Sequence, residues 1–108
     1  MRLYVDDCRP APNNGWHVCR TITEAQAALS RFPVEMVSLD FDPGYLRAGA
    51  NDSVAVSAET FAAVAWFIRM MPEGQRPAVR VHSDNVYALE TITAILPEAE
   101  PLMPADLE

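Results

Sequence analysis

Aspartates follow two of the apolar runs in this chain: Asp6 and Asp7 come after Leu3 to Val5, and Asp40 and Asp42 come after Val34 to Leu39. A third polar group, His82, Ser83 and Asn85, follows the run that starts at Ala78. Taken singly, each is explained by the preference of Asp, Asn and Ser for turns and caps. Taken together they point to chemistry. If the three runs are neighbouring strands, three or four carboxylates meet at one sheet edge. There, two like charges ~4 Å apart repel by ~4 kcal/mol at an effective dielectric of 20. Such a cluster either keeps some protons or holds a cation. Oxygen donors with no clustered thiolates or imidazole pair suit a hard ion, and a few carboxylates plus water is the usual way to hold Mg²⁺. The expected ligands are therefore Asp6, Asp7, Asp40 and Asp42, and the expected cofactor is Mg²⁺. His82, with an ordinary pKa of about 6.5, is the candidate acid or base at neutral pH.

The elements that must position these residues are legible in outline. Arg2 to Val5, Trp16 to Arg20, Val34 to Leu39 and Ala78 to His82 read as strands. Between the first two lies a loop, Arg9 to Gly15, with two prolines, two asparagines and a glycine. Thr21 and Glu24 fit a capping box, and Ile22, Ala25, Leu29 and Phe32 then share a helical stripe that Pro33 ends. A long loop from Asp42 to about Val56 has the length of a binding loop or a disordered stretch, and is expected either to close over the site as a lid or to be an inert insertion. Ser57 can cap a helix with Phe61, Val64, Ala65, Ile68 and Met71 on one stripe, and Trp66 and Arg69 off it. Asp84 or Asn85 can cap a last helix facing Leu89, Ile92 and Leu96 inward.

This rhythm predicts an α/β fold, a shortened flavodoxin-like sandwich whose four-stranded parallel sheet has order 2-1-3-4, with about three helices covering both faces. Ligands of such sheets bind beyond the carboxyl ends of the strands, where the acids collect. The expected organisation is one domain over residues 1–96 and a proline-rich tail over 97–108. Leu107 and Glu108 match a dipeptide of the kind that cloning leaves.

Composition excludes several function classes. The chain has 108 residues, half of them apolar, with 15 acids against 8 bases and a net charge of −7. All the bases are arginine. Sequence-independent nucleic-acid binding runs on phosphate neutralisation, so this charge argues against a general nucleic-acid coat. The longest apolar run, Phe61 to Ile68, is far short of the ~20 residues a membrane span needs. No secretory pattern precedes Arg2, which makes the cytoplasm the expected compartment. Cys8 and Cys19 are too few for a disulfide scaffold and are expected to be reduced. Cys8, His17 and Cys19 would come close if the first two strands are neighbours, yet three such ligands define no zinc site. An exposed Trp66 would favour a homodimer or partner face.

Three blocks carry a resemblance: LYVDDCRPAPNNGW, SLDFDPG and VHSDN. Together they resemble the cyclic-phosphate-processing receiver-like domains, relatives of the response-regulator receiver, from Met1 to about Leu96. The resemblance implies that Asp6, Asp7 and Asp40 bind Mg²⁺, that Asp40 accepts a phosphoryl group and that Ser83 contacts it. Arg9 stands in the family's DDxRP pattern as the natural partner of a phosphate oxygen. His82, Ser83 and Asn85 keep its HSxN block, which makes Asp40, His82 and Ser83 the catalytic candidates and Arg9, Ser83 and Asn85 the phosphate-binding ones. The ligand implied is a small phosphorylated or cyclic-phosphate molecule.

Departures from the pattern are as informative. Receivers use a lysine after a fifth strand, and this chain has neither the lysine nor an evident fifth strand. The histidine of the family's DHDLG block is Phe41 here and its leucine is Pro43. An Asp-x-Asp strand end with a later Ser is also similar to haloacid-dehalogenase-type phosphatases. That family needs its Asp-x-Asp first and then a lysine, whereas here the acid pair comes first. A non-catalytic phosphoacceptor or ligand sensor, reporting to a partner protein, stands beside the enzymatic reading.

Overall fold

The computed structural model describes residues 1–40, 62–83 and 87–107. The strands are β1 (Arg2–Val5), β2 (His17–Cys19), β3 (Met36–Leu39), β4 (Ala78–Val81) and β5 (Glu100–Pro101). The helices are α1 (Ile22–Arg31), α2, helical over residues 62–69, and α3 (Ala88–Ile95). All strand pairs are parallel, in the order β2-β1-β3-β4-β5. The first four follow the expected 2-1-3-4. The fifth comes from the stretch expected to be tail, and its pairing continues as Leu102 N–H donates to Val81 O at 3.0 Å. With two residues, one of them proline, β5 is too short to show any alternation in the sequence.

Strand alternation separates two unlike faces. Leu3, Val5, Val37, Leu39, Val79 and Val81 pack into one cluster with Ala25, Ala28 and Leu29 of α1, Val64, Ala65 and Ile68 of α2, and Ala88, Ile92 and Ile95 of α3. The other face carries Arg2, Tyr4, Ser38 and Arg80. Among the described residues it is covered not by a helix but by Trp16 and by a 3₁₀ turn, Pro104–Leu107. Among the described residues the expected helices on both faces are found on one face alone. The first crossover is a loop, so it supplies no helix to that side.

Local chemistry explains the helix ends. Thr21 Oγ1 accepts from Glu24 N–H at 3.1 Å, and Glu24 Oε2 accepts from Arg20 N–H at 3.2 Å. Two first-turn groups thus hold one another. At the other end the stripe stops one residue early. Phe32 is the extended C-cap, at φ −126° and ψ 151°, and the residue is 50% exposed instead of joining the core. The last helix starts at Ala88 after Tyr87, which makes no side-chain cap bond. The expected caps Ser57, Asp84 and Asn85, the expected core residue Phe61 and the loop from Asp42 to Val56 lie outside the described residues.

Candidate functional site

The backbone ladder runs one residue past the ends of three strands. Asp6 N–H donates to Cys19 O at 3.0 Å, Asp40 N–H to Val5 O at 2.9 Å, and His82 N–H to Leu39 O at 3.0 Å. Asp6, Asp40 and His82 therefore stand side by side at the carboxyl edge, separated by the strand spacing of about 4.8 Å. One ligand atom from each lies within 4.8 Å of the others. Both carboxylates are fully buried.

Asp6 is held on every side. Its Oδ1 accepts the backbone N–H groups of Cys8 at 2.9 Å and Arg9 at 2.8 Å, turning the chain out of β1. Its Oδ2 lies 3.1 Å from His82 Nε2. The His82 ring leans back over β3, stacks on Tyr4 and places Nδ1 2.5 Å from Ser38 Oγ. Arg20 Nη1 closes the loop from outside, donating to Asp6 O at 3.1 Å and to Arg9 O at 2.6 Å.

The electrostatics separate the two partners of the Asp6 to His82 contact. Burial pushes His82 down to about 4, more than the neighbouring Asp6 carboxylate lifts it. Burial alone would raise Asp6, but the N–H groups of Arg9 and Cys8 and the His82 ring outweigh it and lower its pKa. Near neutral pH the contact is therefore a hydrogen bond from a neutral ring to a carboxylate, not an ion pair. Burial, with Asp6 adding to it, also raises the Tyr4 phenol.

The expected site residues do not all arrive in one place. Asp7 is exposed and groups with Asp6 and Cys8 instead of with Asp40. Arg9 is partly buried in the loop that Asp6 nucleates, and Ser83 is partly buried directly after His82. Asp42 and Asn85 lie outside the described residues. Cys19 is buried in the core, where loss of hydration raises its thiol to about 11, whereas Cys8 and His17 are exposed. They form no metal cluster among the described residues.

Tyr4, Ser38 and Arg20 are site residues that motif reasoning passed over. A signal existed for two of them. Tyr4 and Asp6, like Ser38 and Asp40, are two apart on a strand and so share a face. Only the third neighbour, His82, shows why that matters.

Asp6 and Asp40 fit a hard cation. Two buried carboxylates with oxygens within 4.8 Å repel by roughly 3 kcal/mol at an effective dielectric of 20, and a divalent ion reverses that sign.

A parallel sheet of this order with acids beyond β1 and β3 defines a receiver-like domain. Residues 1–98 match the model of the family described as the cyclic-phosphate processing receiver domain, and the chain belongs to that family. No curated protein and no solved structure matches it.

Proposed function

We propose that this domain binds, or processes, a phosphate or cyclic-phosphate group at a Mg²⁺ site made by Asp6 and Asp40, with Asp7 at its rim. The observation that carries the reading is the burial of Asp6 and Asp40 side by side at the carboxyl edge. Mg²⁺ bound there would polarise a phosphoryl oxygen and neutralise developing charge. Arg9 supplies a fixed cation for a second oxygen and Ser83 a hydroxyl for a third. Asp40 is the phosphoacceptor candidate by its place in the family pattern.

One observation favours a phosphoacceptor or ligand-sensing role over hydrolysis. His82, the acid and base candidate, has both ring nitrogens within hydrogen-bond distance of partners. Proton transfer needs a nitrogen that reaches the reacting group.

The test has two stages. Mg²⁺ at millimolar concentration raises the melting temperature, and Ca²⁺ at equal concentration raises it less, because the compact site suits the smaller ion. Unchanged melting removes the metal site. Incubation with 2′,3′-cyclic nucleotides, set beside a small phosphodonor, then separates the roles. Turnover without stable labelling identifies an enzyme; labelling alone identifies a regulator.

A further inference from the structure

We propose that Ser38 is a positioning residue for the Asp6 carboxylate, acting through His82, and that His82 serves the site as a fixed hydrogen-bond donor and not as a ligand of the cation. The consequence for the cation rests on the Mg²⁺ reading above; the hydrogen-bond chain itself does not.

A carboxylate only accepts hydrogen bonds, so the 3.1 Å contact at Asp6 Oδ2 requires the proton on His82 Nε2. On the neutral ring this leaves Nδ1 with a lone pair, 2.5 Å from Ser38 Oγ, whose hydroxyl donates to it. The reverse tautomer would set the Nε2 lone pair against the carboxylate lone pairs. Both nitrogens are thereby engaged, and neither offers a lone pair to a metal although the ring lies within 4.8 Å of Asp6 and Asp40.

Two further contacts make the chain rigid. Ser38 is fully buried inside β3, so water does not compete for its hydroxyl. Tyr4 lies parallel to the ring, 10° between planes, and blocks rotation out of the hydrogen-bonding plane. Asp6 is then aimed from three directions, by Cys8 N–H, Arg9 N–H and His82 Nε2–H. Outer partners of this kind orient a ligand and tune its affinity.

The experiment combines ¹⁵N NMR of the His82 ring with calorimetric titration of Mg²⁺ alone, on wild type, Ser38→Ala and Ser38→Thr. Wild type should show a protonated Nε2 and an Nδ1 shifted upfield by the hydrogen bond it accepts. Ser38→Ala should move Nδ1 downfield and weaken Mg²⁺ binding about tenfold. Ser38→Thr, which keeps the hydroxyl, should restore both. Should Ser38→Ala fail to fold, the wild-type spectrum and Ser38→Thr still decide, because a protonated Nδ1 in wild type overturns the proposal. Wild-type binding of Mg²⁺ with unchanged affinity in Ser38→Ala overturns the positioning role alone. Wild-type protein that binds no Mg²⁺ overturns the metal-site reading instead.

Discussion

His82 lies flat on Tyr4, with ring centroids 3.9 Å apart and 10° between the planes. Tyr4 in turn meets Trp16 edge-on, with centroids 6.0 Å apart at 73°, and Arg2 sits 5.7 Å over the Trp16 ring. The face of the sheet opposite α1, α2 and α3 is thus floored by an aromatic row that leads from β1 to the acid cluster. Aromatic contacts add about 0.5–1.5 kcal/mol each beyond the area they bury. Here they also fix the plane of the ring that holds Asp6.

The depressed His82 pKa sets a pH dependence in the metal-free protein. The unfolded chain takes up a proton at about 6.5, while the folded state resists it down to about 4. Between those values the unfolded state binds more protons, so stability falls as pH falls. The contribution is fully present above about 6.5 and amounts to roughly 3 kcal/mol. The lowered Asp6 pKa adds a further loss below its ordinary value. Urea midpoints from pH 8 to 4, in EDTA, should trace this slope, and His82→Gln should flatten the part above pH 4. A wild-type midpoint that stays level from pH 7 to 4.5 contradicts the buried neutral ring.

Asp6 and Asp40 should respond oppositely to the same chemical change. Asp40→Asn relieves repulsion and stabilises the metal-free protein by about 1 kcal/mol. Asp6→Asn weakens the charge-assisted bonds from the two backbone N–H groups and turns an amide N–H₂ or a weaker acceptor toward His82, costing about 2 kcal/mol. Both should lose the Mg²⁺-dependent rise in melting temperature. An Asp40→Asn protein that still responds to Mg²⁺ shows that Asp40 is not a ligand.

The two thiols should separate cleanly. Cys8 is exposed beside the acid cluster, whereas Cys19 is fully buried with its pKa raised to about 11. The thiolate is the reactive form, so burial and pKa act in the same direction. One equivalent of a thiol reagent should react with native protein at pH 8 and two in denaturant. Two fast equivalents in native protein would contradict the packing of β2.

The chain beyond β5 is tied to the sheet by Asp106. Its Oδ2 accepts from Arg80 Nε at 3.0 Å and from Met103 N–H at 2.9 Å, and its backbone O accepts from Arg2 Nη1 at 2.8 Å. The Arg80 and Met103 contacts keep the Asp106 pKa low, the Met103 N–H most of all. Asp106→Ala should lower stability by about 1 kcal/mol and speed amide exchange at Leu102, next to β5. Exchange at Leu102 equal to wild type would show that β5 holds without the turn.

Much of this protein was legible in its residues, and for a local reason. Apolar runs ending in aspartate, the Thr21 and Glu24 box, and the stripes through Ala25 and Leu29 or Val64, Ala65 and Ile68 are properties of neighbouring residues. They sufficed for parallel strands in the order 2-1-3-4 and for acids at the carboxyl edge. The role of Ser38 was not legible, because its partner is 44 positions away and is brought to it only by the β3 to β4 register. Nor was the pairing of β5, whose two residues are held by long-range ladder bonds and by Arg80. Phe32 left the core because its backbone turned extended one residue before the stripe ended. Spacing along a chain determines which residues share a face; the ladder between strands decides which faces meet. Spacing placed an aspartate at the end of each of two apolar runs; the ladder brought Asp6 beside Asp40 and joined Ser38 through His82 to Asp6.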